Sequence, residues 1–180
     1  MNKLNKIIVS DTSYHDDDPY EVIYSNIMVI NFLGEERIEV HQVHEDSMIS
    51  YNLDYYLDQY NNGNFSQFVW NSKWSKELND DIKNGLAKIG AEKHLKLFLE
   101  QSEKVEKLSA PELQNFLQSD YFGENPVRDS LKNDAFYDLG EDLITLNANW
   151  LKKHPDLQVL SIDDIYNTLE DFIGREINRE

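Results

Sequence analysis

The sequence predicts an all-α fold, a single mainly helical domain of several helices with at most a short N-terminal strand or arm. Three observations lead there. Apolar residues recur at three- and four-residue spacing over most of the chain. Helix-start signals stand just before those stripes, at Asp18-Pro19-Tyr20-Glu21, Ser109-Ala110-Pro111-Glu112 and Ser161. Strand-like alternation is confined to Ile7-Ile8-Val9 and to Ile38, Val40 and Gln42, and the second stretch suits a loop or helix equally. With 180 residues, 40% hydrophobic and 12% aromatic, the chain can bury a sizeable core and should fold rather than stay disordered.

Taken in order, residues 1–18 read as an arm, irregular over 5–18 apart from the short strand. Residues 19–180 read as one helical domain. Asp18 caps the first helix, Pro19 takes its first position, and Glu21 completes a capping box. That helix runs to about Leu33 and stops at Gly34. A second covers about 48–60 and breaks at Asn61-Asn62-Gly63, a turn signal. Phe65, Phe68 and Val69 follow at helical spacing, then the stripes Leu78, Ile82, Leu86, Ile89 and, past Gly90, Leu95, Phe98, Leu99, Val105. Ser109 opens a helix with Leu113, Phe116 and Leu117 inward. Two long helices, about 130–153 and 162–175, close the chain. Trp150 reads as core, and Trp74 as a half-exposed interface anchor.

Composition removes several function classes. There is no cysteine, which excludes disulfides, thiolate metal sites and a cysteine nucleophile, and a reducing, cytoplasmic compartment is expected. The N-terminus Met1-Asn2-Lys3-Leu4-Asn5-Lys6 has no apolar run long enough for a signal peptide. No stretch approaches the roughly 18 apolar residues of a membrane span.

Charge is the unusual feature. Thirty-four Asp and Glu oppose 17 Lys and Arg, a net −17, where solubility of a small domain needs only about 2 to 8 in magnitude. Residues 1–60 carry 12 acids and 3 bases, 61–120 carry 9 and 8, and 121–180 carry 13 and 6. The excess repels nucleic acid and anionic membranes and attracts basic surfaces. Projected at 100° per residue, the helix at 130–153 sets Phe136, Leu139, Leu143, Leu146 and Trp150 against Asp134, Asp138, Glu141 and Asp142. The last helix sets Ile162, Ile165, Tyr166, Leu169, Phe172 and Ile173 against Asp163, Asp164, Glu170 and Asp171. Asp54 and Asp58 form another i, i+4 pair, and Asp16, Asp17, Asp18, Glu35, Glu36 and Glu39 add charge near the start.

Like charges at that spacing destabilise a helix by about 0.2–0.5 kcal/mol per pair. Opposite pairs are expected mainly in the middle third, at Glu92–Lys96, Glu100–Lys104 and Glu103–Lys107. The ends therefore read as presenting unneutralised carboxylates. Carboxylates four residues apart on a helix lie about 6 Å from one another, a fair imitation of phosphates along duplex DNA, which carries about one charge per 1.7 Å.

The segment Tyr60-Asn61-Asn62-Gly63-Asn64-Phe65-Ser66-Gln67-Phe68-Val69-Trp70-Asn71-Ser72 resembles the Asn-Gly-Gly-Phe-x-Gln-aromatic…Asn-Ser signature of the DNA-mimic-protein-nineteen family. Gly85-Leu86-Ala87-Lys88-Ile89-Gly90-Ala91 is similar to its Ala-Leu…Ile-Gly-Ala step. Phe136-Tyr137-Asp138-Leu139 through Trp150-Leu151-Lys152-Lys153-His154 looks like its C-terminal helix. The resemblance spans about residues 48–155. It implies an all-helical fold, often a homodimer, and a namesake that mimics DNA toward a helix-turn-helix repressor. One position departs: the second Gly of the pattern is Asn64 here. Read from the residues alone, the motif is a structural hinge. Gly63 and Asn64 turn the chain, Phe65 and Phe68 enter the core, and Asn62, Gln67 and Asn71 bond loop backbone.

Other chemistry is thin. His41-x-x-His44 with Glu45 and Asp46 has metal-like spacing, but it and His15-Asp16-Asp17-Asp18 read as exposed loop. Asp16-Asp17-Asp18 lacks the spaced ligands of a calcium loop. No phosphate loop, dinucleotide fingerprint, nucleophile elbow or His-Glu-x-x-His occurs. The expectation is an acidic protein-binding module, not an enzyme, with no metal or cofactor. It would occupy the DNA-binding surface of a basic regulator such as a helix-turn-helix repressor and so act in transcription regulation. Two rivals are an immunity-type inhibitor of a basic nuclease toxin, and a metal-dependent hydrolase using His41 and His44.

Overall fold

The structure, a computed structural model, describes residues 3–179. In chain order the elements are β1 (Ile7–Ser10), α1 (Asp11–His15), α2 (Pro19–Glu35), a 3-10 turn (Val40–Gln42), α3 (Glu45–Ser72), α4 (Lys76–Lys88), α5 (Glu92–Glu106) and α6 (Ala110–Gln118). Then come α7 (Pro126–Leu131), a second 3-10 turn (Asp134–Asp138), α8 (Leu143–Lys152), β2 (Leu157–Leu160) and α9 (Ile162–Ile173). The chain is 69% helical, with one short two-stranded parallel sheet among the described residues. It divides into two units, Met1–Tyr51 with Ile144–Glu180, and Asn52–Leu143.

In the first unit, β1 and β2 pair in parallel from Ile7 opposite Leu157 to Ser10 opposite Leu160. Side chains alternate across a strand, so β1 feeds two cores. Ile8 packs with Val29, Ile30, Leu33, Ile165 and Leu169. Ile7 and Val9 pack with Val22, Ile23, Ala148 and Leu151. A strand covered on both faces reads as a continuous apolar run, which is why Ile7-Ile8-Val9 stands out in the sequence. Residues 11–15, expected to be irregular, instead form α1, whose first turn is closed by Ser10 Oγ accepting from Ser13 N at 3.1 Å. β2 was not expected at all: four residues between two helices carry no readable period, and only β1 reveals their role. Asp18 caps α2 by accepting from Tyr20 N at 2.9 Å, and the helix runs past Gly34 to Glu35. Ile162, expected on the core face of α9, is 52% exposed.

The second unit is built on aromatic rings. Tyr56, Tyr60, Phe65, Phe68 and Phe98 are fully buried and meet mostly edge-to-face at 5–6.5 Å, a favoured ring geometry. α3 supplies most of them on either side of a kink at Gly63 and Asn64, where the turn at 61–63 was expected. Ser109 and Glu112 close the expected capping box of α6.

The single helix expected over 130–153 is corrected to three pieces. Asn125 caps α7 through Arg128 N, Lys132 leaves the helix in extended backbone, Asn133 caps the second 3-10 turn, and Gly140 turns the chain at φ +66° before α8. The apolar spacing of Phe136, Leu139, Leu143, Leu146 and Trp150 survives across those breaks, so its periodicity does not report one helix. Phe136 and Leu143 are buried, while Trp150 is half-buried.

Candidate functional site

The carboxylates singled out in the sequence fall into two groups by what they touch. In the first unit, Asp16, Asp17, Asp18, Glu35, Asp164 and Asp171 are exposed and form no ion pair among the described residues, while Asp163, also exposed, interacts with the charge of Arg179. Asp16 and Asp18 accept backbone N–H groups in the turn into α2, and Asp164 accepts from the Ser161 hydroxyl that caps α9. Such bonds leave the negative charge in place. Glu36, Glu39 and Glu170 are different. Arg175 pairs with Glu36, His41 lies 3.1 Å from Glu39, and Arg179 lies 2.7 Å from Glu170. The Arg179 hydrogen bonds, joined by one from Ile177 N, hold Glu170 below the usual carboxylate range.

In the second unit, Asp54 and Asp58 both lie on α3, the first half-buried and the second exposed. Partial desolvation pushes the Asp58 carboxyl up. Asp134 and Asp138 lie on the second 3-10 turn, and Glu141 and Asp142 lie in the turn before α8, so these four do not share a helix face. Glu141 has a structural task. The first residue before α5, Ala91, offers no side-chain cap. The Glu141 carboxylate takes its place, accepting from Lys93 N at 3.0 Å and His94 N at 3.1 Å. An anion there also suits the positive end of the helix dipole.

The family-type motif forms the kink of α3. Gly63 is extended (φ −167°), and a Cβ there would lie 2.9 Å from Gln67 Cβ and 2.0 Å from its Oε1. Asn64 sits at φ 71°, ψ −173°, a region that glycine alone occupies readily. Its side chain makes up for that. Oδ1 accepts from Phe65 N at 2.8 Å and Asn133 N at 2.6 Å, and Nδ2 donates to Asp134 Oδ1 at 2.9 Å. The Tyr121 hydroxyl donates to Gly63 O at 2.9 Å, and the Tyr137 hydroxyl to Tyr60 O at 2.7 Å. Beneath them, Tyr60 stacks on Phe136 at 3.9 Å.

The polar motif residues bond differently from expectation. Gln67 and Asn71 both donate to Gln59 Oε1, tying the two halves of α3 together across the kink, and only Asn62 reaches backbone, at Asp58 O. Trp74 is half-buried against Phe65 and Phe68. A cleft of about 470 Å³ opens beside the kink, lined by Asn62, Tyr121, Arg128, Lys132, Asp134 and Tyr137. Arg128 and Lys132 both reach Asp129, at 2.9 and 3.4 Å.

The histidines part company. His41 is exposed beside Glu39, while His44 turns toward His154, with ring centroids 5.5 Å apart. His154 Nε2 lies 2.9 Å from Asp46, and Asp156 accepts from Lys6 at 2.9 Å. Among the described residues no group of three or more metal-ligating side chains is placed to hold an ion. No described helix is long and apolar enough to cross a membrane.

A mainly helical chain with a kinked aromatic-cored helix and a set of exposed carboxylates, several of them outside any ion pair among the described residues, is the class these features define. The chain belongs to the DMP19-like protein family, whose model matches residues 41–154, the motif segment included. No curated protein and no solved structure matches it.

Proposed function

We propose that the protein is an acidic DNA mimic that binds the DNA-contacting surface of a basic regulator, such as a helix-turn-helix repressor. One observation carries the reading. Asp16, Asp17, Asp18, Glu35, Asp164 and Asp171 stand exposed and outside any ion pair among the described residues, in a chain of net charge −17. Lysines and arginines that contact phosphates bind carboxylates by the same charge-assisted hydrogen bonds. Membership of the DMP19-like family agrees with this reading, and that family is not one of known enzymes. Mimicry needs charge and shape and no cofactor.

The test starts from a lysate passed over the immobilised protein at low salt and eluted with a salt gradient. The recovered partner should be basic, should release its duplex DNA when the protein is added, and should bind less tightly as salt rises. Replacing Asp17, Glu35 and Asp171 together by their amides should weaken the complex without lowering the melting temperature, since none of the three caps a helix or forms an ion pair among the described residues. A partner that stays on its DNA while bound to the protein would sink the proposal.

A further inference from the structure

The first unit carries an apolar groove that the acidic reading does not use. It runs between α2 and α9 and has a volume of about 390 Å³. Its floor is core: Val29 and Leu169 are 7% and 3% exposed. Its walls are not. Tyr24 and Met28, one helical turn apart on α2, are 46% and 49% exposed, and Ile162 across from them on α9 is 52% exposed. Phe32 continues the apolar row along α2. Nothing in the folding of the unit requires Tyr24, Met28 and Ile162 to stay in water, and removing their apolar surface from it is favourable. Every residue lining the groove lies outside the span 41–154 that the family model matches, so the groove belongs to this chain rather than to the shared fold.

The charges around the groove say what would cover it. Glu21 alone is charged among the described residues that line it. Glu35 lies seven residues beyond Met28 on the same face of α2, and Asp163 follows Ile162 at the start of α9. Arg179 lies over the Tyr166 ring at 5.2 Å, but it is shared by Glu170 and Asp163, so two acids oppose one base there. The rim is therefore acidic and the floor apolar. Two copies of this chain brought together there would set Glu21 and Asp163 against their own kind, each copy already at −17. We infer that the groove is a docking site for an amphipathic basic helix of a partner protein, its apolar stripe at i, i+4 spacing seated on Tyr24, Met28 and Ile162 and its flanking Lys or Arg meeting the acidic rim. The inference rests on the proposed acidic reading for the sign of the partner's charge. It adds an apolar, salt-resistant contact that a purely electrostatic decoy lacks.

The probe is a synthetic peptide about five helical turns long, with leucines on one face and lysines elsewhere. An isomer of the same composition has its leucines spread around the helix. Binding to the full chain is followed by fluorescence anisotropy, and by the ε-methyl NMR signal of Met28. The amphipathic peptide should bind at least tenfold tighter than its isomer and shift that methyl signal. Met28→Asp and, separately, Tyr24→Asp should each abolish the preference while keeping the circular dichroism spectrum, since both side chains already face solvent. Equal affinity for the two peptides would overturn the groove and leave the acidic reading standing. Binding of neither at low salt would remove both. A dimer in sedimentation that Met28→Asp dissolves would assign the groove to a second copy and overturn the inference.

Discussion

At the scale of single residues, the kink of α3 is the place where sequence and backbone disagree most. A conformation near φ 71°, ψ −173° costs a non-glycine residue about 1–3 kcal/mol. Three hydrogen bonds from the Asn64 side chain, each worth about 1 kcal/mol, offset it. The glycine that the family pattern has at this position would avoid the strain but forgo the bonds, so Asn64→Gly should be mild. Asn64→Ala keeps the strain and loses the bonds, and should be less stable than Asn64→Gly by about 1–3 kcal/mol in urea unfolding. Equal stability of the two would show that the backbone at this position stores little strain. His94 makes a second test. Its Nε2 faces the carbonyl of Glu141 at 3.1 Å, and a carbonyl only accepts, so Nε2 carries the proton. Nδ1 is buried with no hydrogen-bond partner among the described residues, and burial pulls the His94 pKa below its ordinary 6.5. Above pH 6.5 the ring is neutral folded or unfolded. As pH falls below 6.5 the unfolded chain takes up a proton that the folded one refuses, so stability declines until the folded pKa is passed. His94→Gln should flatten that part of the stability-versus-pH curve, and an unchanged slope would exonerate His94.

At the scale of elements, the most informative change is Glu141→Ala. It removes the carboxylate that closes the first turn of α5 from a distant part of the chain. Losing a cap is worth about 1 kcal/mol, within a range of about 0.5–2, and Glu141→Gln should retain part of it through its amide oxygen. This role shows where sequence reasoning stops. The helices that begin at Pro19, Ala110 and Ile162 were legible because their caps are local, three or four residues before the apolar stripe. A cap supplied from 48 residues away has no local signature, and Glu141 was indistinguishable from the solvent-facing acids around it. β2 was hidden for the same reason, since its partner is β1 at the other end of the chain. The break of the region after residue 130 was legible in part. Asn133 and Gly140 were there to be read as cap and turn, but an apolar spacing that ran on through them suggested one helix. The kink falls at Gly63 and Asn64, where the Asn-Gly signal stands, whereas the partner of Gln67 and Asn71 is Gln59 on the same helix.

At the scale of the whole molecule, what matters is the balance between acids that are matched and acids that are not. Ion pairs occur along the whole chain: Lys76 and Lys83 both reach Asp80, holding that carboxyl down to about 2, Lys107 reaches Glu103 at 3.8 Å, and Lys6 reaches Asp156 at 2.9 Å. These pairs are exposed, and exposed pairs stabilise little. Against them stand seventeen acids in excess of bases, repelling one another in the folded chain more than in the expanded unfolded one. Salt screens repulsion and attraction alike, so the sign of its effect reports which prevails. With the Debye length shrinking from about 30 Å at 0.01 M to about 8 Å at 0.15 M, the melting temperature should rise. About 1 kcal/mol of relieved repulsion corresponds to roughly 2–4 °C for a chain of this size. A sugar at matched osmolarity gives the control, since it lacks the screening. Over the same range of salt, affinity for a basic partner should fall, because the carboxylates that repel each other are those that attract it. Opposite responses of stability and binding to one variable are what an unneutralised surface requires. A melting temperature that drops with salt would mean that ion pairs outweigh the repulsion, and the carboxylates would then be occupied within the fold rather than held ready for another protein.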